Sequence, residues 1–306
     1  MIMSWIDMGV RCETIKFEGS QGFFIRLIKG QKKFEILESG YPYSVLFCAT
    51  ENRKRLMEML ETEDPVVLEE ELYMYIGRNT GYVNWLIRDS YPDSVDKIHY
   101  IIPTKNYVIE FISNFVPPEI IYPFCKKMTE IDEEKLIEGL ELTDMSWEYD
   151  KEEYIEFVDD KFLEKMDISK GLFIGDLIYK EGKLVILLDQ GIRKNEEGKY
   201  YMGEQFVVKF ESGIEAVRFA DEGRRLLLWL IFWDIKKYKF KNGYFLKVEN
   251  SEFIRWLEKE RGKKFEEEVN HYCFLSDMLV VDVVSKCEPT IEKLKRNNSE
   301  ISNRDN

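Results

Sequence analysis

Apolar positions along the chain fall into short runs that alternate between two periods. Residues 73–76 and 244–248 are rich in aromatic and β-branched side chains and read as strands. Each run leads into an Asn-Thr or Asn-Ser pair (Asn79-Thr80, Asn250-Ser251), whose side-chain oxygens suit a helix N-cap. Tyr82, Trp85 and Leu86 then recur at i, i+3 and i+4, as do Phe253, Trp256 and Leu257, placing one apolar stripe on each helix. On such a stripe the tryptophans read as core anchors. A hairpin follows in both places. Residues 98–102 and 107–112 flank the turn residues Pro103-Thr104-Lys105-Asn106, and Ser276-Asp277 marks the second turn. Lys180-Glu181-Gly182-Lys183 predicts a further hairpin between strands at 172–178 and 184–188.

These recurrences line up. His99 to Pro117 (HYIIPTKNYVIEFISNFVP) and His271 to Pro289 (HYCFLSDMLVVDVVSKCEP) share His, Tyr, Val, Ser and Pro without a gap, and the chain's two histidines coincide. YMYIGRNTGYVNWLIR at Tyr73 matches YFLKVENSEFIRWLEK at Tyr244, and a weaker match upstream relates Phe34 onward to Phe206 onward. A fixed order of matching blocks predicts an internal repeat. The expected fold is therefore α+β, a tandem duplication of a strand/helix/β-hairpin module. The first module would span 1–118 and the second 168–291, with a flexible tail at 292–306. Residues 119–167 would join the modules as an acidic helical connector. In it, Leu136, Ile137 and Leu140 share one face of a helix over 132–142. Ile155, Phe162, Leu163 and Met166 do the same over 152–166.

Charge sharpens the picture of that connector. The 306 residues carry a formal net charge of −14. Residues 119–167 contain 17 acidic and 6 basic side chains, 17 − 6 = 11 negative charges in excess. Such a segment is either a solvated face or a surface that docks a basic protein. The candidate binding residues are Glu133, Glu134, Glu152, Glu153, Asp159 and Asp160. An acidic face can also mimic nucleic acid; direct nucleic-acid binding is not expected at this charge. Hydrophobic residues make up 44% and aromatics 14%, enough for a sizeable core. No run approaches the ~20 apolar residues that span a bilayer, so no membrane association is expected. The N-terminus lacks a basic region and carries Asp7, unlike a secretory signal. The five cysteines form no C-x-x-C pair, which predicts reduced thiols in a cytoplasmic protein without a zinc site.

Candidate chemistry rests on two pairs. A turn centred between Thr104 and Lys105 sets His99 opposite Glu110, and the matching turn sets His271 opposite Asp282. A carboxylate beside an imidazole can orient it for acid–base work or metal ligation, or it can simply fix strand register. The phosphate-binding loops, H-E-x-x-H and G-x-S-x-G are absent. With two histidines and no metal motif, no cofactor or metal is expected. The sequence thus predicts a non-catalytic, intracellular protein-binding protein of the inhibitor, immunity or anti-defence type, partnered by a basic protein. The alternative is a hydrolase-like enzyme with a site between the modules, built from His99, Glu110, His271 and Asp282.

Overall fold

The computed structural model describes residues 9–18, 22–38, 43–67, 72–89, 97–114, 119–122, 124–127, 136–138, 151–158, 162, 171–190, 193–194, 200–201, 203–221, 243–276 and 279–294. Alternating apolar and polar residues dominate these stretches. In β2 (Gly22–Lys29) Phe23, Ile25 and Leu27 are buried while Phe24, Arg26 and Ile28 are partly exposed, and β14 (Lys183–Gln190) alternates in the same way. This period of two belongs to strands packed on one face. Nine such strands, including β9 (Glu119–Tyr122), β10 (Phe124–Lys127) and β22 (Thr290–Leu294), form one sheet, in the order β10-β9-β3-β2-β1-β13-β14-β17-β22. Its central members are β1 (Val10–Glu18), β2, β3 (Lys32–Glu38), β13 (Leu172–Lys180), β14 and β17 (Gln205–Phe210).

The second sheet is 11-stranded and runs β11-β6-β7-β8-β4-β18-β21-β20-β19-β12, with β5 (Val66–Val67) paired to β6. It contains β6 (Tyr73–Arg78), β7 (Lys97–Pro103), β8 (Tyr107–Asn114) and β4 (Ser44–Ala49), then β18 (Ile214–Asp221), β21 (Leu279–Ser285), β20 (Asn270–Leu275) and β19 (Phe245–Glu249). Its inner strands are buried on both faces, so they read as unbroken apolar runs and not as alternation: every residue of β7 and β21 is buried. One face meets the nine-stranded sheet across an aromatic core, where Phe219 stands 5.4 Å from Phe17 and 6.0 Å from Phe23. The other face is covered by helices α1 (Lys54–Leu60), α2 (Gly81–Asp89) and α3 (Glu252–Arg261), through Leu56, Leu60, Tyr82, Trp85, Leu86, Phe253, Trp256 and Leu257. Burying each large apolar side chain is worth about 1.5–3 kcal/mol.

The balanced α+β class predicted from the sequence does not hold. Among the described residues strands far outnumber helices, and they lie in two large antiparallel sheets. Nor does the structure show a tandem duplication. The matched blocks share continuous sheets, because β1 pairs with β13 and β4 with β18. The expected helical connector also fails where it is described. Residues 119–122 and 124–127 are strands β9 and β10, 136–138 are β11, parallel to β6, and 153–156 are β12, antiparallel to β19. Hydrogen bonding to an open sheet edge outweighs a helical spacing of apolar residues that short segments satisfy by either period. The expected tail begins instead inside β22 (Thr290–Leu294), paired to β17; residues 295–306 lie outside the described residues.

Candidate functional site

Both histidine–carboxylate pairs exist, in a register different from the one predicted. Pro103 pairs with Val108, so the loop between β7 and β8 is centred on Lys105-Asn106 and His99 lies opposite Ile112. Likewise His271 lies opposite Val284. The shift is two residues, which preserves the face on which a side chain stands. His99 Nε2 therefore still reaches Glu110 Oε2, diagonally, at 3.2 Å, and His271 Nε2 is 3.1 Å from Asp282 Oδ1.

The other ring nitrogen meets a helix cap. Thr80 Oγ1 accepts the Val83 amide at 3.3 Å and lies 2.9 Å from His99 Nδ1. Ser251 Oγ accepts the Ile254 amide at 3.1 Å and lies 2.8 Å from His271 Nδ1. The hydroxyl's single proton is then available to Nδ1 of the imidazole; His271 Nε2 in turn hydrogen-bonds Asp282, whereas His99 Nε2 approaches Glu110 at ion-pair distance without hydrogen-bond geometry. The preceding residues, Asn79 and Asn250, both adopt φ 52°, a left-handed conformation that asparagine tolerates. They swing the chain from strand to helix and bring each cap over its histidine.

Two arginines complete the clusters, and the sequence reading missed both. Arg53, in the 3-10 turn Thr50–Arg53 that leads into α1, grips Glu110 with Nε at 2.8 Å and a second nitrogen at 2.9 Å, and reaches Glu260 on α3 at 2.5 Å. Arg218, on β18, donates to Asp282 Oδ2 through Nε at 2.9 Å and through its terminal nitrogen. The guanidiniums cross over: Arg53 stacks on Trp256 and Arg218 on Trp85, each 4.7 Å from the ring centroid. Leu46 pairs with both Glu110 and Arg218, and Arg218 with Asp282, so the clusters lie in one row across the sheet. A signal was available for Arg218: an arginine inside the apolar run Ala216-Val217-Arg218-Phe219-Ala220 needs a buried counter-ion.

All of these groups are buried, with Arg53, Arg218, His99 and Glu110 at 0% exposure. Burial lowers the affinity of the His99 imidazole for a proton and outweighs the pull of Glu110. Burial alone would raise Glu110, yet the Arg53 guanidinium and the His99 contact together hold it below the usual carboxylate range. The chain Ser251–His271–Asp282 has the composition of a hydroxyl–imidazole–carboxylate relay, but its ring is reversed relative to the serine-hydrolase arrangement and its hydroxyl is engaged as a helix cap. What this arrangement does chemically is pin the helix layer to the sheet. Ser251→Ala is expected to cost about 1 kcal/mol through the lost cap, read as a lower urea midpoint at unchanged slope. A loss below a few tenths would show that the hydroxyl holds nothing in place.

The acidic candidates divide. Glu152 is buried, not on a docking face: its Oε1 accepts the Glu252 amide at 2.8 Å, capping α3 with a negative charge, and its other oxygen takes the Tyr154 hydroxyl. Glu153 is exposed on β12, the last strand of its sheet. Glu133, Glu134, Asp159 and Asp160 lie outside the described residues. Among the described residues no cluster of His, Cys, Asp and Glu is suited to a metal ion, and no helix is long and apolar enough to cross a membrane. Cys12, Cys48 and Cys273 are buried free thiols, and Cys287 is partly buried.

The fold and these clusters define a class, a two-sheet antiparallel β protein with one face sealed by helices. No family model, curated protein or solved structure matches the chain.

Proposed function

We propose that this is a non-catalytic binding protein of the inhibitor or immunity kind, docking a basic protein partner along the acidic edge made by β12. The observation that carries the reading is the chemistry of that edge. Glu153 pairs directly with Glu249 across the strands, and both are exposed. Like charges set opposite each other in a ladder are unfavourable, and a basic side chain from a partner relieves the repulsion. Beside them Ile155, 46% exposed, is the one large hydrophobic exposed among the described residues. A terminal strand with an apolar side chain and opposed carboxylates suits an added strand that carries Lys or Arg. The free thiols fit a reducing, cytoplasmic setting.

The test is a photo-activated cross-linker at Ile155 in the native host. It should trap one protein with a basic surface, identified by mass spectrometry, and Glu153→Lys should weaken that complex about tenfold with a reduced salt dependence. A cross-linker at Lys183, on the far sheet, should trap nothing. Equal trapping from both positions, or none at Ile155, would refute the reading.

A further inference from the structure

A separate cleft of ≈ 660 Å³ opens at the end of the helix layer. One wall is the helical stretch from Thr50 to Leu60 with its C-cap, contributing Thr50, Glu51, Lys54, Met57, Glu58 and Glu61. The other is the C-terminal end of α3, where Arg261 is followed by Gly262 at φ 75°. That left-handed residue ends the helix and turns Lys263 into the cleft mouth, while Lys105 enters from the β7–β8 loop.

Arg261 is the unusual member. Its side chain is only 8% exposed, and its guanidinium stacks 4.4 Å from the Phe265 ring centroid. Glu51 stands 4.0 Å away, beyond hydrogen-bonding range, Glu266 acts on the guanidinium only through its charge, and Nε meets no acceptor among the described residues. The contrast with Arg53 and Arg218 is sharp, since both of those Nε groups have carboxylate oxygens at 2.8–2.9 Å. A desolvated guanidinium is costly unless an acceptor reaches it, and its planar fork matches a carboxylate or phosphate. Around it Lys54 is 66% exposed and only 3.6 Å from Glu58, a loose pair able to yield, and Lys105 is exposed at the rim.

We infer that this cleft binds a small molecule through an oxyanion, a phosphate or a carboxylate, received by Arg261 with Lys54 and Lys105 closing over it. Glu51, Glu58 and Glu61 in the same walls make the site a poor sink for bare anions. They favour a ligand whose other end carries hydroxyl or amino groups. The volume lies within the roughly 300–1,000 Å³ usual for small-molecule sites.

The site is tested by titrating the intact protein with inorganic phosphate, glycerol phosphate and acetate, following the Arg261 Nε–H resonance by NMR. Saturable movement of that resonance is expected, with glycerol phosphate binding more tightly than phosphate if the source is a phosphate ester. Acetate would prevail if the source is a carboxylate. Arg261→Gln, which lacks the reporter resonance and is compared with wild type by titration calorimetry, should weaken binding about tenfold or more. Because Arg261 is packed, the exposed pair Lys54→Gln/Lys105→Gln provides a second variant; it should keep the melting temperature and lose several-fold in affinity. An Arg261 resonance unmoved by all three probes, or equal binding by wild type and both variants, would overturn the proposal.

Discussion

Arg53→Met is expected to destabilise the protein by about 3–5 kcal/mol, because it removes the buried cation that Glu110 and Glu260 share. Against a total stability of about 5–15 kcal/mol for a folded domain, that loss leaves a sizeable unfolded fraction at 37 °C. Equilibrium urea unfolding measures it. The cause is separable from simple loss of contact. Arg53→Met combined with Glu110→Gln and Glu260→Gln removes the uncompensated charges, and should recover most of the deficit. A single mutant within about 1 kcal/mol of wild type would mean that solvent reaches the carboxylates and that the cluster is not sealed.

Acidification should destabilise the fold in two stages. His99 is held below its ordinary value near 6.5 by burial, so the unfolded chain binds its proton first. The stability it contributes is complete above pH ~6.5 and declines as pH falls from there toward the lowered folded value, by up to ~1.4 kcal/mol per pH unit. Glu110 is also held below its ordinary value, through Arg53 and His99. Its contribution is complete above the ordinary carboxylate range near 4.3 and is lost as pH falls through the depressed folded value. Unfolding free energy measured between pH 8 and 3 should therefore bend downward near pH ~6.5 and again below ~4.5. His99→Gln should abolish the first bend and keep the second. A first bend that survives in His99→Gln would assign it to other groups.

Much of the local structure was legible in the sequence. Thr80 and Ser251 do cap helices, and the stripes Tyr82-Trp85-Leu86 and Phe253-Trp256-Leu257 are buried as their spacing requires. The histidines do meet Glu110 and Asp282. Three things were not legible, each for a physical reason. The hairpin register slipped by two because Thr104 and Asn106 are both good turn residues, and the choice between them is made by the Thr104 amide donating to the Tyr107 carbonyl at 2.8 Å. The edge strands β11 and β12 are three and four residues long, too short for periodicity to tell helix from strand. The partners of Glu110 and Asp282 are non-local. Arg53 lies 57 residues from Glu110 and 207 from Glu260, and an arginine followed by Lys54-Arg55 and preceded by Glu51-Asn52 resembles part of a solvated face.

The crossing of Arg53 onto Trp256 and Arg218 onto Trp85 bears on how the chain is made. Residues 1–114 hold only one of the two partners that β1 and β4 each have in the finished sheets, β2 for β1 and β8 for β4. The other partners, β13 and β18, are synthesised only after residue 171 and residue 213. The ring that stacks on Arg53 comes later still. A first half folded ahead of the second would leave two strand edges unpaired, the form most prone to wrong pairing. Pairings that span so much of the chain make this a slow-folding topology, in which neither sheet can close until the second half of the sequence is present.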